Sequence, residues 1–100
     1  MILYNVTVNI DKEVANEWLQ WMKEEHIPDV LATGMFLENK IFRLLDEENE
    51  GITYAIQYFA ESMEYIQQYQ IQFAPTLQAV HNEKFADRFV AFRTLLKLEE

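Results

Sequence analysis

The sequence contains no cysteine, and that absence removes disulfides, thiol catalysis and thiolate metal sites together. Glycine and proline are nearly as scarce, with two of each among 100 residues. So few breakers argue against a disordered or low-complexity chain, and the isolated Gly34 and Gly51 cannot build a phosphate-cradling loop. Basic residues are few as well: eight Lys and Arg against 17 Asp and Glu leave a formal net charge of −9. A protein that tracks a nucleic-acid backbone needs a clustered basic face to displace counterions, and these eight are scattered, so no nucleic-acid partner is expected. Anionic membrane surfaces are disfavoured by the same sign. Met1 to Tyr4 is apolar, but Asn5, Thr7 and Asn9 interrupt the run and no basic stretch precedes it. Neither a signal peptide nor a membrane span is expected, which makes the cytoplasm the default location. No helical zinc spacing occurs around His26 or His81, and Asp29 and Asp87 add none, so no metal site is expected.

What remains is the pattern of a single domain over residues 1–100. Ile2, Tyr4, Val6, Val8 and Ile10 alternate with Leu3, Asn5, Thr7 and Asn9, which predicts a first strand buried on one face. Asp11 is a suitable N-cap, with Glu13 in the first turn, for a helix of about four turns whose stripe is Val14, Trp18, Trp21 and Met22. Pro28 disfavours α geometry at Ile27 and should break that helix near His26. A short second helix is then expected from Pro28 to Thr33, closed by Gly34.

Met35 to Leu45 and Ile52 to Ala60 read as a hairpin around the charged, solvated turn Asp46-Glu47-Glu48-Asn49-Glu50-Gly51. Ser62 is the expected N-cap of a second long helix that buries Ile66, Tyr69, Phe73, Leu77 and Val80 and is kinked or interrupted by Pro75. After an Asn82-Glu83-Lys84 loop, Arg88 to Leu98 completes the order β-α-β-β-α-β.

That order predicts an α+β, ferredoxin-like domain, a four-stranded antiparallel sheet with two main helices on one face. The helices should cover Tyr4, Val6, Val8, Ile56, Tyr58, Val90 and Phe92. The open face should carry Asn5, Thr7, Gln57, Phe59, Phe89, Arg93 and Leu95, too apolar for water and too polar for a dry core. A two-fold homodimer through that face is the simplest way to cover it. Arg93, beside Asn5 or Asn9 and Gln57, would there make a dimer contact or orient a small polar ligand.

The Met1-Ile2-Leu3-Tyr4-Asn5-Val6-Thr7 start, His26-Ile27-Pro28, the Thr33-Gly34 pair and the closing Phe92-Arg93-Thr94 resemble an uncharacterised family in the dimeric α/β-barrel superfamily, classed as a domain of unknown function. The resemblance spans the whole chain. It implies ferredoxin-like subunits whose sheets meet in a dimer and brings no activity with it. Within the same superfamily, small cyclases and ethyl tert-butyl ether degradation-type proteins carry a similar His-x-Pro after their first helix. Haem-degrading monooxygenases place an Asn on the first strand, a Trp on the second helix and a haem-ligating His near that helix's end. Asn5, Tyr69 and His81 occupy similar places, although Tyr69 stands where Trp is expected and the stretch before His81 carries a Pro-containing insertion.

Three functions stay open. The first is a structural or small-ligand-binding dimer without cofactors, with Asn5, Tyr69 and Arg93 as candidate ligand-binding residues. The second is a cofactor-free enzyme of the cyclase, isomerase or monooxygenase type, acting on a small hydrophobic substrate with His26 or His81 as acid–base. Haem binding through His81 is the third. Each histidine also has a plainer role, interaction with a helix C-terminus. The aromatic residues Trp18, Trp21, Tyr4, Tyr54, Tyr58 and Tyr69 fit either a pocket for a planar apolar molecule or ordinary core.

Overall fold

The computed structural model describes residues 1–45 and 50–100. Strand β1 (Ile2–Ile10) lies at the centre, paired antiparallel with β3 (Ile52–Ala60) on one side and β4 (Phe89–Lys97) on the other. β2 (Glu38–Arg43) extends the sheet beyond β3, giving the order β2-β3-β1-β4. This is the expected ferredoxin-like α+β fold. β1 and β3 have the bounds that alternation predicts, and β2 is shorter than Met35 to Leu45. Backbone bonds from Leu37 N–H to the Phe59 carbonyl (2.7 Å) and from Leu44 N–H to the Thr53 carbonyl (2.8 Å) continue its pairing at both ends. Most of the expected charged turn, residues 46–49, lies outside the described residues. At its end Gly51 is obligatory, because a Cβ there would collide with the Asn9 side chain and sit 2.7 Å from the Ile10 carbonyl.

The first helical layer departs from expectation at both ends. Its helix α1 (Ala15–Trp21) begins after a turn in which the Asp11 carboxylate accepts the Glu13 N–H at 2.9 Å, so Asp11 closes a turn and Val14 occupies the N-cap position. At the other end no break occurs. The chain continues through a π-helical turn, Met22–His26, directly into α2 (Ile27–Leu31). Ile27 keeps helical dihedrals (φ −61°, ψ −45°) and donates its N–H to the Met22 carbonyl five residues back. Pro28 has no N–H and its ring crowds the carbonyl four residues back, so the wider turn receives a proline that an α-helix would reject. Gly34, at φ +79°, ends the run as expected.

The second layer is α3 (Met63–Gln72) and α4 (Ala74–Lys84), separated at Phe73 with Pro75 in the first turn of α4. Ser62 holds the N-cap position of α3 without a capping side-chain bond. α4 runs through Asn82 to Lys84, where a loop was expected. The interruption also re-phases the buried stripe: Ile66 and Tyr69 are buried, but Val80 is 49% exposed and His81 takes the inward place, 8% exposed.

The register of β4 overturns one expectation with consequences for function. Paired residues share a sheet face, and β1 pairs Val6 with Arg93, Val8 with Ala91 and Ile10 with Phe89. Phe89, Ala91, Arg93 and Leu95 therefore lie on the helix-covered side. The open face instead receives Val90, Phe92, Thr94 and Leu96, alongside Asn9, Thr7, Asn5 and Leu3. Arg93 and Leu95 leave the expected partner-facing surface, and Val90, Phe92 and Leu96 join it. Both faces of β4 are similarly apolar, so its phase is not readable from the strand alone, and a one-residue slip reverses every side chain.

No helix of the described residues is long and apolar enough to cross a membrane.

A histidine-lined cavity under the helices

Between the helices and the sheet lies a cavity of about 40 Å3. That is room for two or three waters or the head of a small ligand, well below the several hundred Å3 of a drug-sized pocket. Its floor is the inner face of β1, β3 and β4, and its walls are the π-helical turn, α3 and α4. These elements bring His26, Tyr69, His81 and Arg93 to one space. Tyr4 and Tyr58 line it too, whereas Trp18 and Tyr54 belong to the core below, with ring centroids 5.2 Å apart.

His81 is held in one protonation state. Its Nε2 accepts a hydrogen bond from the indole N–H of the fully buried Trp18 at 2.9 Å, which a second N–H on that nitrogen would prevent. The neutral ring therefore carries its proton on Nδ1. Burial holds the pKa of His81 below the ordinary range; the Asn82 side chain opposes that shift and the charge of Arg93 reinforces it. Phe89 meets the ring edge-on at 4.5 Å.

His26 is the freer of the two. It stacks on Trp21 at 5.0 Å, lies 5.7 Å from His81 between ring centroids, and has no hydrogen-bond partner among the described residues. Burial, then the neighbouring His81, lower its pKa from 6.5 to about 4; Asp29 opposes this and Arg93 adds to it. At neutral pH it too is uncharged. Burial drives the Tyr69 and Tyr58 phenols well above their usual range, so both remain proton donors.

Arg93 is the exposed residue of the lining and borders the cavity mouth. Its charge reaches His26, His81 and Tyr69. Asn5 does not join this group. It faces the open side of the sheet, where its amide donates to Thr7 Oγ1 at 3.0 Å. The expected pairing of Asn5 with Arg93 is thus replaced by two groups on opposite faces. Haem does not fit the cavity: the volume excludes a porphyrin, and the Nε2 lone pair of His81 is already engaged by Trp18. Sequence reasoning missed two participants. Trp18 has no signature as a histidine partner, but Gln78, three residues before His81 on α4, shares its helical face and lines the cavity.

Fold and cavity together define a ferredoxin-like α+β protein with a largely apolar, histidine-lined pocket on the helix-covered side of its sheet. The chain belongs to the family described as a domain of unknown function (DUF4286), whose model matches residues 1–99. No curated protein matches the sequence. Among solved structures the chain is similar to a dimeric ferredoxin-like protein from an uncultured marine organism, with a TM-score of 0.73 and 14% identity over 99% of this chain and 95% of that one. It is also similar to an ethyl tert-butyl ether degradation (EthD) family protein from Bacillus halodurans, with a TM-score of 0.69 and 13% identity over 99% and 100% of the two chains. A third is SnoaB, a cofactor-independent oxygenase from Streptomyces nogalater, with a TM-score of 0.68 and 9% identity over 99% and 94%. At these identities the likeness establishes the fold.

Proposed function

We propose that this protein binds the polar head of a small, largely apolar molecule in the helix-side cavity, the rest of the ligand lying at its mouth, and that His26 exchanges a proton with it, using side chains of the chain alone. The observation that carries this reading is a neutral imidazole lining a cavity with no protein partner for either nitrogen among the described residues. No fully buried side-chain nitrogen lacks a partner among the described residues, so the His26 nitrogens reach accessible space, where a ligand can meet them. His81, held by Trp18, acts as a positioning residue that fixes the wall against which His26 and the ligand rest. Such an arrangement performs general acid–base chemistry once a ligand brings a transferable proton within reach of His26.

Benzamide, a neutral planar probe, tests the cavity in an NMR titration. Shifts centred on the His26 ring and on Val6 and Ala91, with roughly millimolar affinity, are expected. Shifts spread over the open sheet face, or none, would overturn it.

A second reading concerns assembly. The open face exposes Val90 at 69%, Phe92 at 64% and Phe42 at 52%. We infer that two copies pair through this face, an arrangement consistent with the dimeric neighbour.

A further inference from the structure

We propose that the ligand of the helix-side cavity is a monoanion, a carboxylate or enolate-type oxygen on a small planar apolar body, and that Arg93 is the residue that selects it. This rests on the cavity reading and adds the chemical class of the ligand. Five observations carry it. Arg93 is the sole cationic side chain of the lining, and no Asp or Glu lines the cavity, in a chain whose formal charge is −9. Nor has it an ion-pair or hydrogen-bond partner among the described residues. Arg88, by contrast, meets both Asp11 and Glu13 at 3.1 Å. The Arg93 guanidinium can therefore meet a carboxylate without first giving up another.

The register places Arg93 opposite Val6 on the inner sheet face, so its side chain stands at the mouth of an apolar space. The groups behind it are suited to an oxyanion. His26 and His81 are uncharged, and the Tyr69 phenol retains its proton to donate. Charge-assisted bonds from a guanidinium are about twice as strong as neutral ones and fix a planar oxyanion geometrically. The aromatic lining, Tyr4 against Tyr58 and Tyr69, favours a flat head such as a carboxylate over a branched one.

Three near-isosteric probes separate charge from shape: benzoate, benzamide and benzamidinium, each titrated into wild type and R93Q with NMR detection. Wild type is expected to bind benzoate about tenfold more tightly than benzamide and to bind benzamidinium least. R93Q should bring benzoate to about the level of benzamide bound by the same variant, while a circular dichroism spectrum and thermal midpoint matching wild type report an intact fold. R93K should recover part of the difference. Benzamide bound as tightly as benzoate by wild type, or benzoate unaffected in R93Q, would overturn the inference and leave the cavity reading standing. Failure of all three probes to shift the lining residues would remove both.

Discussion

Trp18 sets the protonation pattern of the cavity without touching its open space. Its indole N–H fixes a lone pair on His81 Nε2, so that nitrogen cannot accept a proton without losing the bond. His26 is kept neutral differently, by burial and by neighbours. The consequence for stability follows from linkage. His26 titrates at 6.5 in the unfolded chain and at about 4 in the folded one, so between those values the unfolded chain binds a proton that the folded chain refuses. Stability is therefore complete above pH ~6.5 and is lost as pH falls toward 4. With screening at a partly exposed ring, the loss attributable to His26 is on the order of 1–2 kcal/mol. Urea unfolding of wild type and H26Q at pH 7 and pH 4.5, at fixed protein concentration, measures it. The pH-induced loss should be smaller in H26Q by that amount, and equal losses would show that His26 is not the titrating group.

At the scale of elements, the π-helical turn is an accommodation of Pro28. An α-helix through residues 22–31 would set the proline ring against the carbonyl of Glu24, a cost of about 3 kcal/mol. Deleting the exposed Lys23 removes one residue from the wide turn and restores that clash. The deletion should destabilise the protein by roughly this amount, and adding P28A should recover most of it. Thermal unfolding of the three variants decides the matter; a deletion that P28A does not relieve would assign the turn another cause. The same turn explains what the sequence could not disclose. Pre-proline restriction predicts a break at Ile27, yet that residue keeps helical dihedrals; the chain instead widens one turn through a five-residue hydrogen bond, an exit that dipeptide sterics do not reveal. β1 and β3 were legible because their alternation is strict and one face is plainly apolar. β4 was not, since Phe89 and Val90, or Ala91 and Phe92, serve equally well on either face; its phase comes from pairing with β1. His26, His81 and Tyr69 were identifiable as candidates one by one. That Arg93 stands with them and Asn5 does not follows only from this pairing.

At the scale of the whole molecule, the open sheet face decides the assembly. Three strands of nine residues and one of six, about 4.8 Å apart, cover roughly 500 Å2 of sheet, near the lower size of a stable interface per partner. Its polar groups are partly satisfied already, because Asn5 donates to Thr7 at 3.0 Å and Asn9 to Thr53 at 2.9 Å, so covering them forfeits little hydrogen bonding to water. Each copy brings a formal charge of −9, an unfavourable long-range term that salt screens, so association should strengthen between low and physiological ionic strength. Phe92 lies on this face, 64% exposed and paired with Thr7 of the central strand. F92E adds a desolvated like charge from each copy without disturbing the helix-covered core. Light scattering should give twice the 12.0 kDa chain mass for wild type and the single-chain mass for F92E, with unchanged circular dichroism. A wild-type monomer at micromolar concentration would remove the dimer, and an F92E dimer would move its interface to another surface.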